Sequence, residues 1–178
     1  MTHLRELPLG PTDLDRSWGM RPKMYDIFMS DYNASVARVD PALVELCRLR
    51  MAQILGSGFD RSLRYGPARA AGLTEEKILA LPAYLSSPLF DARERLAIGF
   101  AEIFAIQSSN IGDADVAPVQ QALGAEAFIY FVKALSVIDQ LQRSVVAFGV
   151  QPGPVVPATL PDFHLAPASA ATNDSVAH

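Results

Sequence analysis

The stretch ILGSGFDRSLRYG, residues 54–66, concentrates groups able to do chemistry: Ser57, Asp60, Arg61, Arg64 and Tyr65, with Glu45 upstream. Carboxylates move protons, hydroxyls donate and accept hydrogen bonds, and a guanidinium clasps a carboxylate through two parallel bonds. Glu45 carries the sharper signal. On a helix, Ala42, Glu45, Leu49, Ala52 and Gly56 share one face at spacings of three and four. A carboxylate on so apolar a stripe is costly unless paired, and burial would raise its pKa toward the range useful for proton transfer. The competing explanation is an ion pair of Glu45 with Arg48 or with Arg64.

The same stretch also reads as helix punctuation. Ser57-Gly58-Phe59-Asp60 places a hydroxyl at a helix cap and a carboxylate three residues later. Asp60 and Arg64 then make an i,i+4 surface pair worth ~0.3–0.5 kcal/mol.

Positioning these residues falls to helices. Residues 1–21, with Pro8, Gly10, Pro11 and Gly19, read as an extended arm that Trp18 pins to the body. A helix is expected over 22–36. Asp40 as cap and Pro41 at the first position open the clearest helix, which runs to a stop at Gly56 and is apolar nearly all round. A third helix is expected over 58–70, and a short fourth opens at Thr74 with Glu75 and Glu76. LPAYLSSPLF reads as a loop, and Asp91 with Glu94 forms a capping box for the next helix. A short helix at 113–123 precedes a long one at 125–148, with Phe128, Phe131, Val132, Leu135, Ile138, Leu141, Val145 and Phe148 at helical spacing. No alternating strand pattern stands out. The fold class is therefore all-α, a single domain at 22–150 between the arm and a Pro/Ala-rich tail at 151–178. That tail is expected to be extended or disordered, docking Phe163 or Leu165 on a neighbouring surface. Met20, Met24, Met29 and Met51 are read as core packing.

Composition narrows the function. Hydrophobic residues make up 50% of the 178 and charged residues 19%, which excludes a disordered chain. The net charge is −4 and there is no basic run, which argues against nucleic acid. No apolar run reaches membrane-spanning length and no signal-peptide core is present, so no membrane partner is expected and a cytoplasmic location is. Cys47 is the only cysteine, and His3, His164 and His178 lie near the ends. These allow no internal disulfide and no recognisable metal-ligand spacing; neither a metal nor another cofactor is expected.

From Asp40 to Gly149 the chain resembles the carboxymuconolactone decarboxylase and alkylhydroperoxidase D-like superfamily. The segments carrying this are LVELCRLRMAQILGSGFD, ARAAGLTEEKILALPAY, SPLFDARERLAIGFAE and QLQRSVVAFGV, in that order. The resemblance implies a helical bundle that assembles as a trimer or hexamer. In the redox members, a Glu precedes a C-x-x-C pair and a His follows it. Carried over, the Glu is Glu45, the cysteine positions are Ser57 and Asp60, and the His position is Arg64. A hydroxyl and a carboxylate cannot form a disulfide, so the family's thiol peroxidase or reductase activity is not expected. The decarboxylase branch needs no cysteine pair but relies on a His that this core lacks. What remains is a proton-transfer site for a small organic acid, working by decarboxylation, lactone opening or isomerisation. Its catalytic groups would be Glu45, Asp60 and Ser57, with Arg64 and Tyr65 binding substrate. The alternative is a binding or assembly protein that kept the fold and lost the chemistry.

Overall fold

The computed structural model describes residues 22–150 and residues 158–160. Expectations for Trp18, Met20, Phe163 and Leu165 fall outside these residues. The α-helices are α1 (Pro22–Val36), α2 (Pro41–Leu55), α3 (Gly58–Ser62), α4 (Gly66–Ala70), α5 (Glu75–Leu79), α6 (Ala92–Gln107), α7 (Asp113–Leu123) and α8 (Ala125–Ala147). Two short 3₁₀ turns occupy Leu81–Ala83 and Ser108–Asn110, and two strands, β1 (Leu63–Tyr65) and β2 (Ala158–Leu160), complete the order.

Helix α2 is the centre of the bundle, packed against α6 and α8, while α1 covers α8 and α7 joins α6 to α8. Its boundaries follow from local chemistry. The Asp40 carboxylate accepts from the Leu43 N–H at 3.0 Å, and Pro41 sits where a missing N–H costs nothing. At the other end Gly56 adopts φ 74°, a left-handed C-cap whose N–H returns to the Ala52 carbonyl. Leu43, Val44, Leu46, Cys47, Leu49, Met51 and Ala52 are all buried, as an all-round apolar helix requires. Asp91 and Glu94 close a reciprocal capping box on α6, with bonds of 2.8 and 2.9 Å. On α8, Phe131, Leu135, Ile138, Leu141 and Val145 face the core, whereas Phe148 is left 39% exposed at its end. Met29 and Met51 are core residues; Met24, 59% exposed, is not.

The helix expected over 58–70 is broken. It stops at Ser62, the chain extends through Leu63–Tyr65, and helix resumes at Gly66. Two causes are visible. In a continuous helix Pro67 would have no N–H to give the Leu63 carbonyl and its ring would clash with that carbonyl, whereas it is tolerated in the first turn of a new helix. The polar backbone of 63–65 is also claimed from α2: the Leu63 carbonyl accepts from Arg48 at 3.1 Å, and the Tyr65 N–H reaches Glu45 Oε1 at 3.4 Å. The extended segment then pairs in parallel with β2, Leu63 opposite Ala158 and Tyr65 opposite Leu160. Part of the tail is thus a strand laid beside the stretch that carries the candidate site, and the expectation of no strands is corrected at these two places.

Candidate functional site

Helix α2 supplies Glu45 and Arg48, the α2–α3 junction supplies Ser57 and Asp60, and β1 supplies Arg64 and Tyr65. Glu45, Arg48, Ser57, Asp60 and Tyr65 are each 1% exposed. They form one connected network. Arg48 Nε donates to Glu45 Oε2 at 2.6 Å and its Nη2 to Glu45 Oε1 at 2.9 Å, a two-pronged clasp. The same guanidinium donates to the carbonyls of Asp60 and Leu63, at 2.9 and 3.1 Å, and lies 3.5 Å from the Asp60 carboxylate. It also sits 4.6 Å above the centre of the Tyr65 ring, a cation–π contact. Of the two ion pairs open to Glu45, the fold selects Arg48.

Ser57 is a cap, and more than a cap. Its Oγ accepts from the Asp60 N–H at 3.2 Å and donates to Asp60 Oδ2 at 2.5 Å. Burial pushes the Asp60 carboxyl above its usual range, while Arg48 and the Ser57 hydroxyl pull it back. Burial works against charge on Arg48 too, but the neighbouring Glu45 overcomes it and holds the guanidinium firmly protonated. Tyr65 is pushed up to about 12 by burial, and Tyr32 on α1 donates a hydrogen bond to it. Gln142 on α8 closes the network from the other side, its amide donating to the Arg48 carbonyl at 2.9 Å.

Arg64 is placed elsewhere. Its Nε lies on the Glu75 carboxylate at 3.0 and 3.2 Å, and Arg69 joins the same carboxylate at 2.9 Å. The expected Asp60–Arg64 surface pair is therefore absent: Asp60 points inward to Ser57 and Arg48, and Arg64 points outward to α5. The break at Leu63 is the reason, since 60 and 64 no longer share a helix face. The structure thus brings Glu45, Ser57, Asp60 and Tyr65 together and sets Arg64 on a neighbouring surface. Arg48, Tyr32 and Gln142 belong to the network without having been singled out as functional. Only Arg48 left a trace in the sequence, as the i+3 neighbour of a buried Glu.

Beside Arg64 lies a cavity of about 420 Å³ walled by Leu49, Ile78, Leu79 and Pro82, with Arg61 and Arg64 on its rim. Cys47 is fully buried, and burial raises its thiol pKa far above the ordinary value. Among the described residues no group of three or more His, Cys, Asp or Glu could hold a metal ion. Among the same residues, no single helix is long and apolar enough to cross a membrane. Asp139 and Arg143 make an i,i+4 pair on α8 at 2.7 Å.

No family model matches this sequence, and no curated protein matches it either. Solved structures do. A protein of unknown function from Agrobacterium tumefaciens, described as a candidate antioxidant defence protein AhpD, superposes with a TM-score of 0.68 at 19% identity, covering 78% of this chain and 97% of that one. A cysteine-to-alanine variant of the debrominase Bmp8, in complex with 2,3,4-tribromopyrrole, superposes with a TM-score of 0.70 at 15% identity, covering 82% of this chain and 79% of that one.

Proposed function

Because the chain has the alkylhydroperoxidase D-like fold, we propose that it is a divergent member of that superfamily which binds a small organic acid without thiol redox chemistry. One observation carries this reading. Where the resemblance places a reactive thiol pair, Ser57 and Asp60 are hydrogen-bonded to each other at 2.5 Å and closed over by Arg48. A hydroxyl and a carboxylate cannot exchange a disulfide. Cys47 has neither a partner cysteine nor a lowered pKa to replace them. Glu45 and Arg48 satisfy one another, so the charges support the architecture of the site rather than standing ready for a ligand.

A second reading is kept for Asp60. A carboxyl whose pKa burial raises and which accepts a hydrogen bond from Ser57 suits general acid–base catalysis. That supports a decarboxylase, lactone-opening or isomerase activity on the same class of substrate. The proposal includes a cytoplasmic location and assembly as a trimer or hexamer; exposed Ile27, Leu85, Ile106 and Ile129 support burial between copies.

Three measurements test this. Incubation with an alkyl hydroperoxide and a dithiol donor should give no turnover above a Cys47→Ala control. A panel of small carboxylates and lactones, followed by thermal shift, should yield at least one stabilising acid. Product analysis with that acid, in wild type and Asp60→Asn, separates binding from catalysis. Hydroperoxide turnover that disappears in Cys47→Ala would sink the non-redox reading.

A further inference from the structure

We infer that the cavity between α2, α3 and α5 is the anion-binding pocket of this protein and that Arg61 is the residue that anchors the ligand. This inference rests on the organic-acid reading above and gives it a location and a ligand class, an aromatic carboxylate.

The arginines of this neighbourhood differ in what they already bind. Arg48 is sealed in the core by Glu45. Arg64 and Arg69 share the Glu75 carboxylate. Arg61 is different. It is exposed, and among the described residues its guanidinium makes no hydrogen bond and no ion pair; only its backbone is engaged, the N–H donating to the Ser57 carbonyl at 3.1 Å and the carbonyl accepting from Arg64 Nη1 at 2.8 Å. An unpaired arginine on a flat surface would be unremarkable. This one lines a cavity of about 420 Å³ whose walls are Leu49, Ile78, Leu79 and Pro82. Among the described residues no carboxylate lines that cavity, and of its two arginines Arg64 is paired with Glu75 while Arg61 is not, on a chain whose net charge is −4.

The shape and chemistry define the occupant. A cavity of this size falls within the range of small-molecule sites, which are mostly apolar with a few placed polar groups. Leu79 is 76% exposed and Ile78 is buried beneath it, so the wall offers an apolar surface that a ligand would cover. Arg61 supplies two-pronged recognition of a carboxylate, and Leu49, Ile78, Leu79 and Pro82 supply apolar surface for a flat ring. A negatively charged head with a planar apolar body satisfies both requirements. Arg48 ties α3 to α2 through the Asp60 carbonyl at 2.9 Å, one residue before Arg61, and none of Glu45, Arg48 and Asp60 lines the cavity.

Benzoate and its neutral isostere benzamide, titrated calorimetrically into the full-length protein, provide the test. Benzoate is expected to bind at least about tenfold more tightly than benzamide, with an affinity that weakens as salt rises. Arg61→Gln should reduce benzoate affinity by about tenfold or more. It should leave the melting temperature of the unliganded protein unchanged, because among the described residues the Arg61 side chain bonds to nothing and its backbone bonds survive the substitution. Leu79→Ser should weaken benzoate and benzamide alike. Equal affinity for the two compounds, or benzoate binding indifferent to Arg61→Gln, overturns the assignment. If another small acid from the panel still stabilises the protein in Arg61→Gln, the organic-acid reading stands and only this pocket falls. If no acid binds at all, both fall together.

Discussion

Replacing Arg48 with Met asks whether the buried charges are scaffold. Arg48 is 1% exposed and its guanidinium satisfies both Glu45 oxygens and the carbonyls of Asp60 and Leu63. Methionine fills much of the aliphatic volume but satisfies none of these acceptors. Removing one member of a buried ion pair costs about 3–5 kcal/mol. Each carbonyl left dry adds about 1 kcal/mol. The expected loss is therefore about 5–7 kcal/mol, a large share of the ~5–15 kcal/mol that holds a domain together. Chemical denaturation followed by circular dichroism measures it. The second arm removes the stranded charge. Glu45→Leu with Arg48→Met leaves orphaned only the two carbonyls and the Tyr65 N–H, so the double variant should lose about 2–3 kcal/mol, less than Arg48→Met alone. Burial already biases Asp60 toward its neutral form, so it can take up a proton once Arg48 is gone. An Arg48→Met loss under about 1 kcal/mol, or a double variant as damaged as the two singles added, would refute the reasoning.

Other outcomes follow from the same geometry. Ser57→Ala removes a helix cap and the bond to Asp60 Oδ2, and should cost about 1–3 kcal/mol by denaturation while organic-acid binding persists. Lost turnover at unchanged stability would instead make Ser57 catalytic. Burial raises Tyr65 from 10.0 to about 12, so between those values the unfolded chain has released a proton that the folded chain keeps. Stability therefore falls as pH rises through that window, by about 2–3 kcal/mol at its top. Tyr65→Phe should flatten this part of an alkaline unfolding series; an unchanged slope would contradict the assignment. Gly56→Ala meets nothing within 4 Å but must hold φ +74°. Its cost should be backbone strain alone, about 1–2 kcal/mol in thermal unfolding.

Legibility tracked the range of the forces involved. The ends of α2 and α6 were readable because Asp40, Pro41, Gly56, Asp91 and Glu94 act on backbone groups within a few residues. The buried stripe of α8 was readable because one helix imposes one period. The break at Leu63 was not, because the groups that hold 63–65 extended are Glu45 and Arg48, from another helix, and a strand almost a hundred residues away. Met24 was misassigned for a related reason. Hydrophobicity says that a residue can be buried, and only the arrangement of neighbours says that it is.

The candidate site divides in the same way. Sequence alone determined one chemistry that is missing: with a single cysteine, no disulfide can form and exchange within the chain. It also determined that Glu45, on an apolar helix, needs a partner. Tertiary structure decided who that partner is. A guanidinium three residues along could reach Glu45, and so could one beyond the turn, until packing took Arg48 inward and Glu75 drew Arg64 outward. The same packing left the Arg61 side chain, among the described residues, without a partner at the lining of a cavity. Residue types set what each group can bind, but a charge is used up or left available only by the neighbours that the fold brings to it.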